Sequence, residues 1–82
     1  KNPELAFRFY KLSAEQGDDS AEFHLAQCYA EGFGTEKNPE SAFKIFKFLA
    51  EKGDFGAQYE LGRCYANGFG TERNPELAFQ FY

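Results

Sequence analysis

The chain has 82 residues, of which 43% are hydrophobic and 20% aromatic, and its formal net charge at pH 7 is −4. This composition excludes a disordered chain. The acidic balance argues against a nonspecific nucleic-acid binder, which needs a basic surface to neutralise phosphates. No apolar run approaches the length required to span a bilayer, so we expect no membrane insertion by this segment.

The chain repeats itself with a period of 36 residues. Asn2, Asn38 and Asn74 each begin the triplet NPE, and both intervals, 38 − 2 and 74 − 38, equal 36. The longer stretch GFGTEKNPE at residues 32–40 returns as GFGTERNPE at residues 68–76. A period between about 20 and 50 residues is typical of solenoids and related arrays.

Start and stop signals divide the chain into five predicted helices. Each NPE triplet places an Asn cap, a Pro at the first helical position and a Glu near the positive helix start. Asp18 or Asp19 supplies the other kind of cap, and Gly32 and Gly53 are typical helix stops. The helices are predicted near residues 4–16, 20–31, 39–52, 56–67 and 75–82, with little or no strand. The sequence therefore predicts an all-α fold.

The repeated glycine stretch also invites comparison with a phosphate-binding loop. Such loops follow a strand, use a longer glycine pattern and open directly onto a helix N-terminus. Here a predicted helix precedes the loop, and Pro39 removes one amide from the following helix start. We therefore interpret the loop as a connection between two helices and expect no cofactor.

The predicted helix at 39–52 is apolar around most of its circumference at about 100° per residue. Only a narrow polar arc remains, and its charges stand at helical spacing. We interpret them as a solvated edge and not as a catalytic carboxylate pair. The members of this arc are Glu40, Lys44, Lys47 and Glu51.

The predicted helix at 20–31 has two faces that behave differently between the copies. Ala21, Leu25, Cys28 and Tyr29 recur unchanged one period later and form one apolar stripe. The opposite face, called here the variable face, differs between copies. Its candidate binding residues are Phe23, His24, Gln27 and Glu31 in the first copy and Tyr59, Glu60, Arg63 and Asn67 in the second.

Over its whole length the chain resembles the Sel1-like repeat family, relatives of the tetratricopeptide repeat. The resemblance depends on the stretch AQYELGRCYANGFGTERNPELAFQFY and on AFRFYKLSAEQG near the start. Two positions depart from the usual pattern, Ala26 in place of glycine and Phe46 in place of tyrosine. In family terms, residues 1–17 are the second helix of a truncated repeat, 18–53 one full repeat, and 54–82 a repeat truncated at its C-terminal end.

The resemblance implies an α-solenoid of antiparallel helix pairs, a right-handed superhelix whose first helices line a concave groove for protein or peptide partners. The variable face would then point into that groove, with Phe23 and Tyr59 as aromatic anchors and its polar residues as hydrogen-bonding groups. The alternative is that these residues vary because they face water, since two copies alone do not separate the two explanations.

Cys28 and Cys64 occupy the same repeat position. Equivalent points on stacked repeats lie about 10 Å apart, beyond the Cα separation of about 7 Å that a disulfide tolerates, so we expect free, mostly buried thiols. Where secreted bacterial relatives contain a disulfide, it joins one cysteine from each of the two helices of a repeat, and the second cysteine of such a pair is missing here. We therefore expect a cytoplasmic protein, with the ER lumen or secretion as part of a longer protein as alternatives.

Neither a metal site nor a catalytic site is expected. Two cysteines are too few for a Cys-rich zinc site unless other chains contribute. His24 precedes Cys28 by four residues, but Cys28 belongs to the apolar stripe whereas His24 borders the variable face, and a core cysteine lacks the access that a nucleophile needs. We therefore predict that the segment is not an enzyme.

Three functions remain open. The first is a scaffold or adaptor module that binds a partner protein or peptide, and the second is a structural spacer between other domains. The third, ranked last, is a secreted enzyme of the penicillin-binding or β-lactamase-like type, known among bacterial relatives; no Ser-x-x-Lys occurs in this chain.

Apolar surface at the terminal helices, from Phe7, Phe9, Phe79 and Phe81, also predicts end-to-end self-association.

Overall fold

A computed structural model of the protein describes residues 2–81. These residues form five α-helices and no strand, and consecutive helices pack pairwise as an all-α solenoid. Each predicted helix boundary within this range is confirmed to within one residue, whereas the prediction for residue 82 lies outside the described residues. The helices are α1 (Pro3–Glu15), α2 (Asp19–Glu31), α3 (Pro39–Glu51), α4 (Phe55–Asn67) and α5 (Pro75–Phe81).

The helix starts follow the predicted caps. The side-chain oxygen of Asn38 accepts a hydrogen bond of 3.2 Å from the backbone N–H of Ser41, and Pro39 occupies the first turn, where no donor is required. Of the two candidates for α2, Asp18 is the cap, and its side-chain oxygen accepts a 3.0 Å hydrogen bond from the backbone N–H of Ser20. One period later, Asp54 caps α4 by accepting a 3.0 Å hydrogen bond from the backbone N–H of Ala57. Local sequence alone therefore fixes where these helices begin.

Glycines end the helices in the left-handed conformation. Gly32, with φ at 73°, follows α2 and donates its N–H to the carbonyl oxygen of Cys28 at 2.8 Å. Gly53, with φ at 97°, follows α3 and donates to the carbonyl oxygen of Ala50 at 3.0 Å. A side chain would strain the backbone at either position, which explains the residue type.

The helices stack through contacts that recur one period apart. The rings of Phe7 and Tyr29 meet edge to face with 5.5 Å between centroids, and those of Phe43 and Tyr65 do the same at 5.6 Å. Each pair joins the second helix of one repeat to the first helix of the next. Because every junction extends the stack in the same direction, the molecule is elongated, with extents of 38 × 23 × 17 Å.

The core is centred on α3, which packs between α2 and α4. Phe46 and Leu49 are almost completely buried there, next to Leu61 of α4. The polar arc is not the only exposed part of α3, because Phe48 is 47% exposed. Its ring lies on the solvent side, with the ammonium of Lys52 at 5.0 Å from the ring centroid.

The second glycine of each GFG stretch explains why the loop is repeated. Gly34 and Gly70 have φ values of 75° and 74°, and each lies against the start of the preceding second helix. A Cβ added to Gly34 would overlap the carbonyl group of Pro3, and one added to Gly70 would overlap that of Pro39. The loop is therefore a packing element between repeats, and glycine is required for the close approach.

The terminal helices expose aromatic rings, as predicted for two of the four residues. Phe9 on α1 is 60% exposed and Phe79 on α5 is 84% exposed. Phe7 and Phe81 are only partly exposed, because each ring packs against a tyrosine of the neighbouring first helix. The apolar end surfaces therefore exist but are smaller than the sequence suggests.

Candidate functional site

A groove of about 240 Å³ runs between α2 and α4. These are the equivalent first helices of successive repeats, and the groove lies where they are stacked side by side over α3. We call it the α2–α4 groove. Its lining residues are Gln27, Ala30, Glu31, Phe46, Glu60, Arg63, Cys64, Asn67 and Phe69.

The polar walls of the α2–α4 groove come from corresponding turns of the two helices. Gln27 and Glu31 are four residues apart and therefore project from one side of α2. Arg63 and Asn67 occupy the same two positions one period later on α4. Helical spacing and the 36-residue repeat together bring these four side chains to the same groove.

The floor of the α2–α4 groove is apolar. Phe46 of α3 is 2% exposed and Cys64 of α4 is 3% exposed, while Phe69 from the following loop is half-buried against the same core. Burial and, to a smaller extent, the nearby Glu60 carboxylate raise the pKa of the Cys64 thiol to about 11, against the opposing effect of Arg63. The thiol is therefore protonated at neutral pH and acts as a small apolar group.

The charged groups at the α2–α4 groove are two carboxylates and one guanidinium, which sum to −1. Arg63 lies 3.5 Å from Glu60, three residues earlier on the same helix, so these two charges partly offset each other. Glu31 stands on the opposite wall and makes no ion pair with any residue in the range 2–81. The electrostatic character of the groove is thus mildly acidic, with the uncompensated carboxylate on the α2 side.

Five of the eight candidate binding residues meet in the α2–α4 groove, and three lie elsewhere. Phe23 is half-buried between α2 and α3, with its ring centroid 5.5 Å from that of Phe46. Its position indicates a packing role between the helices of one repeat. The role of the candidate set in binding stays a prediction.

His24 and Tyr59, the other two, are exposed outside the lining. The imidazole of His24 stacks on Tyr10 of α1 at 5.0 Å between centroids, and its Nδ1 lies 2.8 Å from the carbonyl oxygen of Ser20. Tyr59 is 54% exposed on α4. The guanidinium of Arg63 lies 6.0 Å from its ring centroid, so Tyr59 borders the groove through that contact.

Sequence reasoning missed the aromatic residues of the floor. From the sequence, Phe46 is notable only as a departure from the usual family pattern, and Phe69 only as part of the repeated connecting loop. A signal for Phe69 was present, because an aromatic ring held between two glycines, Gly68 and Gly70, recurs in both copies of the loop. An apolar residue kept at a fixed place in a loop indicates that the loop packs on something.

The cysteine prediction is confirmed, since both thiols are free and buried. Burial raises the pKa of Cys28, and Glu31 raises it further. His24 is exposed and stacked on Tyr10, away from the buried Cys28.

Within residues 2–81, no group of three or more His, Cys, Asp or Glu side chains is arranged to hold a metal ion. None of the described helices has the length and apolar character to cross a membrane.

Comparison with known proteins gives a family match along the chain. The family model described as Sel1 repeat matches residues 1–18, 19–54 and 56–82. The crystal structure of a Sel1 repeat protein from Oxalobacter formigenes is similar to this chain, with 36% identity and a TM-score of 0.87 over 100% of this chain. A protective antigen present in uropathogenic Escherichia coli strains, which displays an SLR fold, shares 30% identity and a TM-score of 0.90 over 99% of this chain.

Both solved structures are much longer than this chain. The alignment covers 34% of the Oxalobacter formigenes protein and 17% of the Escherichia coli antigen. A search of curated proteins found no match. Sel1 repeat proteins are generally scaffolds for protein interactions, and the fold is typically non-catalytic.

Proposed function

This chain belongs to the Sel1 repeat family, and we propose that it is an interaction module that binds an extended peptide segment of a partner protein in the α2–α4 groove. One observation carries the proposal. Five of the residues that differ between the two repeats line one groove over an apolar floor. Identical residues maintain the architecture, whereas these differing residues surround a space that a side chain of a partner can enter.

The chemistry of the α2–α4 groove favours a particular kind of segment. The side-chain amides of Gln27 and Asn67 both donate and accept hydrogen bonds, so they suit the backbone of an extended peptide. The floor of Phe46 and Phe69 suits one apolar side chain. Glu31 favours a lysine or arginine beside that apolar residue, because its carboxylate has no ion-pair partner within residues 2–81.

The spacer hypothesis is the second candidate, and a specific observation favours it. Phe23 and His24 belong to the variable face, yet both make contacts inside the molecule, with Phe46 and Tyr10. Variation between repeats therefore does not by itself indicate a ligand. If the segment only positions other domains, changes in the α2–α4 groove will leave every function intact.

Selection from a displayed peptide library supplies ligands for a groove whose natural partner is unidentified. Selected peptides are then titrated against the chain and its variants by isothermal calorimetry. Arg63→Ala and Gln27→Ala alter opposite walls of the groove, and each should weaken binding by about 1–3 kcal/mol. Lys44→Ala is the matched control, since Lys44 is exposed on α3 and lies outside the lining. All three variants should keep the melting temperature nearly unchanged.

Nuclear magnetic resonance locates the bound peptide directly. The side-chain amide signals of Gln27 and Asn67 should shift on titration, whereas that of Gln58 should not, because it donates to the carbonyl oxygen of Ala50 at 3.2 Å and is outside the groove lining. Selected peptides should also be enriched in an apolar residue next to a basic one. Unchanged affinity for both wall variants would refute the groove, and a library yielding no ligand would favour the spacer hypothesis.

A further inference from the structure

Two exposed residues of opposite charge stand on opposite walls of the α2–α4 groove, away from both termini. Glu31 lies on α2 and Arg63 lies on α4. Asn67 occupies the repeat position of Glu31 on α4, and Gln27 occupies that of Arg63 on α2. Each of these charged side chains therefore lies opposite an uncharged amide and not opposite the other charge.

The two charges are one helical turn apart along the groove. Because α2 and α4 are equivalent helices of successive repeats, each shared repeat position marks one level of the groove. The level of Glu31 comes four residues after the level of Arg63, which corresponds to a rise of about 6 Å along an α-helix. Residues i and i+2 of an extended peptide are about 6.4–6.8 Å apart. A peptide that runs along the groove can therefore bring two residues of this spacing to the two charges.

Arg63 has two charged or aromatic neighbours on α4 that hold its guanidinium in place. The guanidinium lies 3.5 Å from the carboxylate of Glu60 and 6.0 Å from the ring centroid of Tyr59. Glu60 comes three residues earlier on α4, and its side chain is 25% exposed against 54% for Arg63. A ligand that enters the groove therefore meets the guanidinium before it meets that carboxylate. An arginine has five N–H donors, so one weak ion pair leaves it able to bind a second carboxylate.

The exposure of the lining residues separates the walls from the floor. Glu31 and Arg63 are exposed, whereas Phe46 is 2% exposed and Phe69 is half-buried. Successive side chains of an extended peptide point to opposite sides. When one apolar side chain points to the floor, the side chains before and after it point toward the exposed parts of the walls.

We infer that the α2–α4 groove prefers a peptide in which one acidic and one basic residue flank an apolar residue, a specificity that rests on the peptide binding proposed above. The apolar side chain contacts Phe46 and Phe69. The peptide carboxylate binds Arg63, and the basic side chain on the other side of the apolar residue binds Glu31. The sum of the groove charges, −1, would by itself favour a peptide with basic residues alone. The separate positions of the two charges favour a peptide that carries both signs.

Selection from a displayed library tests the charge pattern. The library fixes one apolar residue and randomises the residues on both sides of it. Selected peptides should carry an acidic residue on one side and a basic residue on the other, within the same peptide. Enrichment of basic residues alone, or of no charged residue, would overturn the pattern while peptide binding in the groove remained. A library without any ligand would refute peptide binding itself, and the charge pattern with it.

Double-mutant cycles measured by isothermal calorimetry assign each peptide charge to one wall. Changing the acidic residue of a selected peptide to its amide should weaken binding to the wild-type chain by about two- to fivefold and should have no effect on binding to Arg63→Gln. Changing the basic residue to glutamine should act in the same way through Glu31→Gln. In the crossed combinations, and with the control Lys44→Ala, each peptide change should weaken binding as much as it does with the wild type.

The spacing of the charges has its own test. A peptide with one extra residue between the apolar residue and the basic one should bind the wild-type chain about two- to fivefold more weakly, because the basic residue no longer reaches the level of Glu31. The same peptide should bind Glu31→Gln as tightly as the unextended peptide does. Circular dichroism verifies that all variants remain folded. Equal effects in matched and crossed combinations would overturn the assignment of the charges to Arg63 and Glu31, and unchanged binding of the extended peptide would overturn the spacing.

Discussion

Replacing Gly70 by alanine should destabilise the fold more than a backbone-strain argument alone predicts. With φ at 74°, alanine at this position costs about 1–2 kcal/mol from the left-handed conformation itself. Its Cβ would also overlap the carbonyl group of Pro39 and press on the Cβ of Phe43, which are backbone and near-backbone atoms that do not move aside easily. Such overpacking adds about 1–3 kcal/mol, for a total of about 2–5 kcal/mol.

Gly53→Ala separates the two contributions. Gly53 has φ at 97°, but an added Cβ would meet nothing within 4 Å, so its replacement should cost only the backbone term of about 1–2 kcal/mol. Urea unfolding followed by circular dichroism gives the free energy of unfolding of both variants and of the wild type. If the two substitutions lower it equally, the close approach of Gly70 to Pro39 contributes nothing, and close packing is not the reason for the repeated loop.

Four further outcomes are expected from stability measurements. Leu61→Ala, which empties a site that is 2% exposed, should lower the free energy of unfolding by about 2–5 kcal/mol in urea titration. Asp54→Ala removes the cap of α4 and should cost about 0.5–2 kcal/mol in the same assay. Asp19→Ala breaks the 2.9 Å ion pair with Lys52, but both side chains are half-exposed, so calorimetric melting should reveal a loss below about 1 kcal/mol. The pKa of the Cys64 thiol is about 11 in the folded chain and about 9.0 in the unfolded chain. The contribution of this thiol to the free energy of unfolding is therefore fully present below about pH 9, and the free energy of unfolding should fall by roughly 2–3 kcal/mol toward pH 11. Cys64→Ala should lack that part of the fall when unfolding is compared across this pH range, and a wild-type curve that parallels it would contradict the assignment.

Helix positions could be predicted from the sequence because their causes are local. Asn38, Pro39 and Gly53 act on atoms within a few residues, so a short stretch of sequence contains the information. The candidate site depends on which helices are neighbours, and periodicity gives only the direction of a side chain. Phe23 therefore looked like an exposed anchor, although it packs on Phe46 of the next helix.

The groove residues show the same distinction. Gln27 and Arg63 were identified because the repeat places them at equivalent positions and their identities differ. Phe69 was not identified, because its role depends on how the loop returns over the core, which is a property of the folded chain. Comparison of two copies thus identified most of the walls of the α2–α4 groove but not its floor.

The two edge-to-face pairs, Phe7 with Tyr29 and Phe43 with Tyr65, have a consequence for the history of the molecule. Because both junctions use the same contact, a gene segment encoding 36 residues can be duplicated or lost without any new interface having to arise. Each added unit would bring one more first helix and hence one more groove, which is then free to diverge at the positions of Gln27 and Glu31. Ancestry by unequal exchange would thus account for both the sameness of the junctions and the difference between the walls.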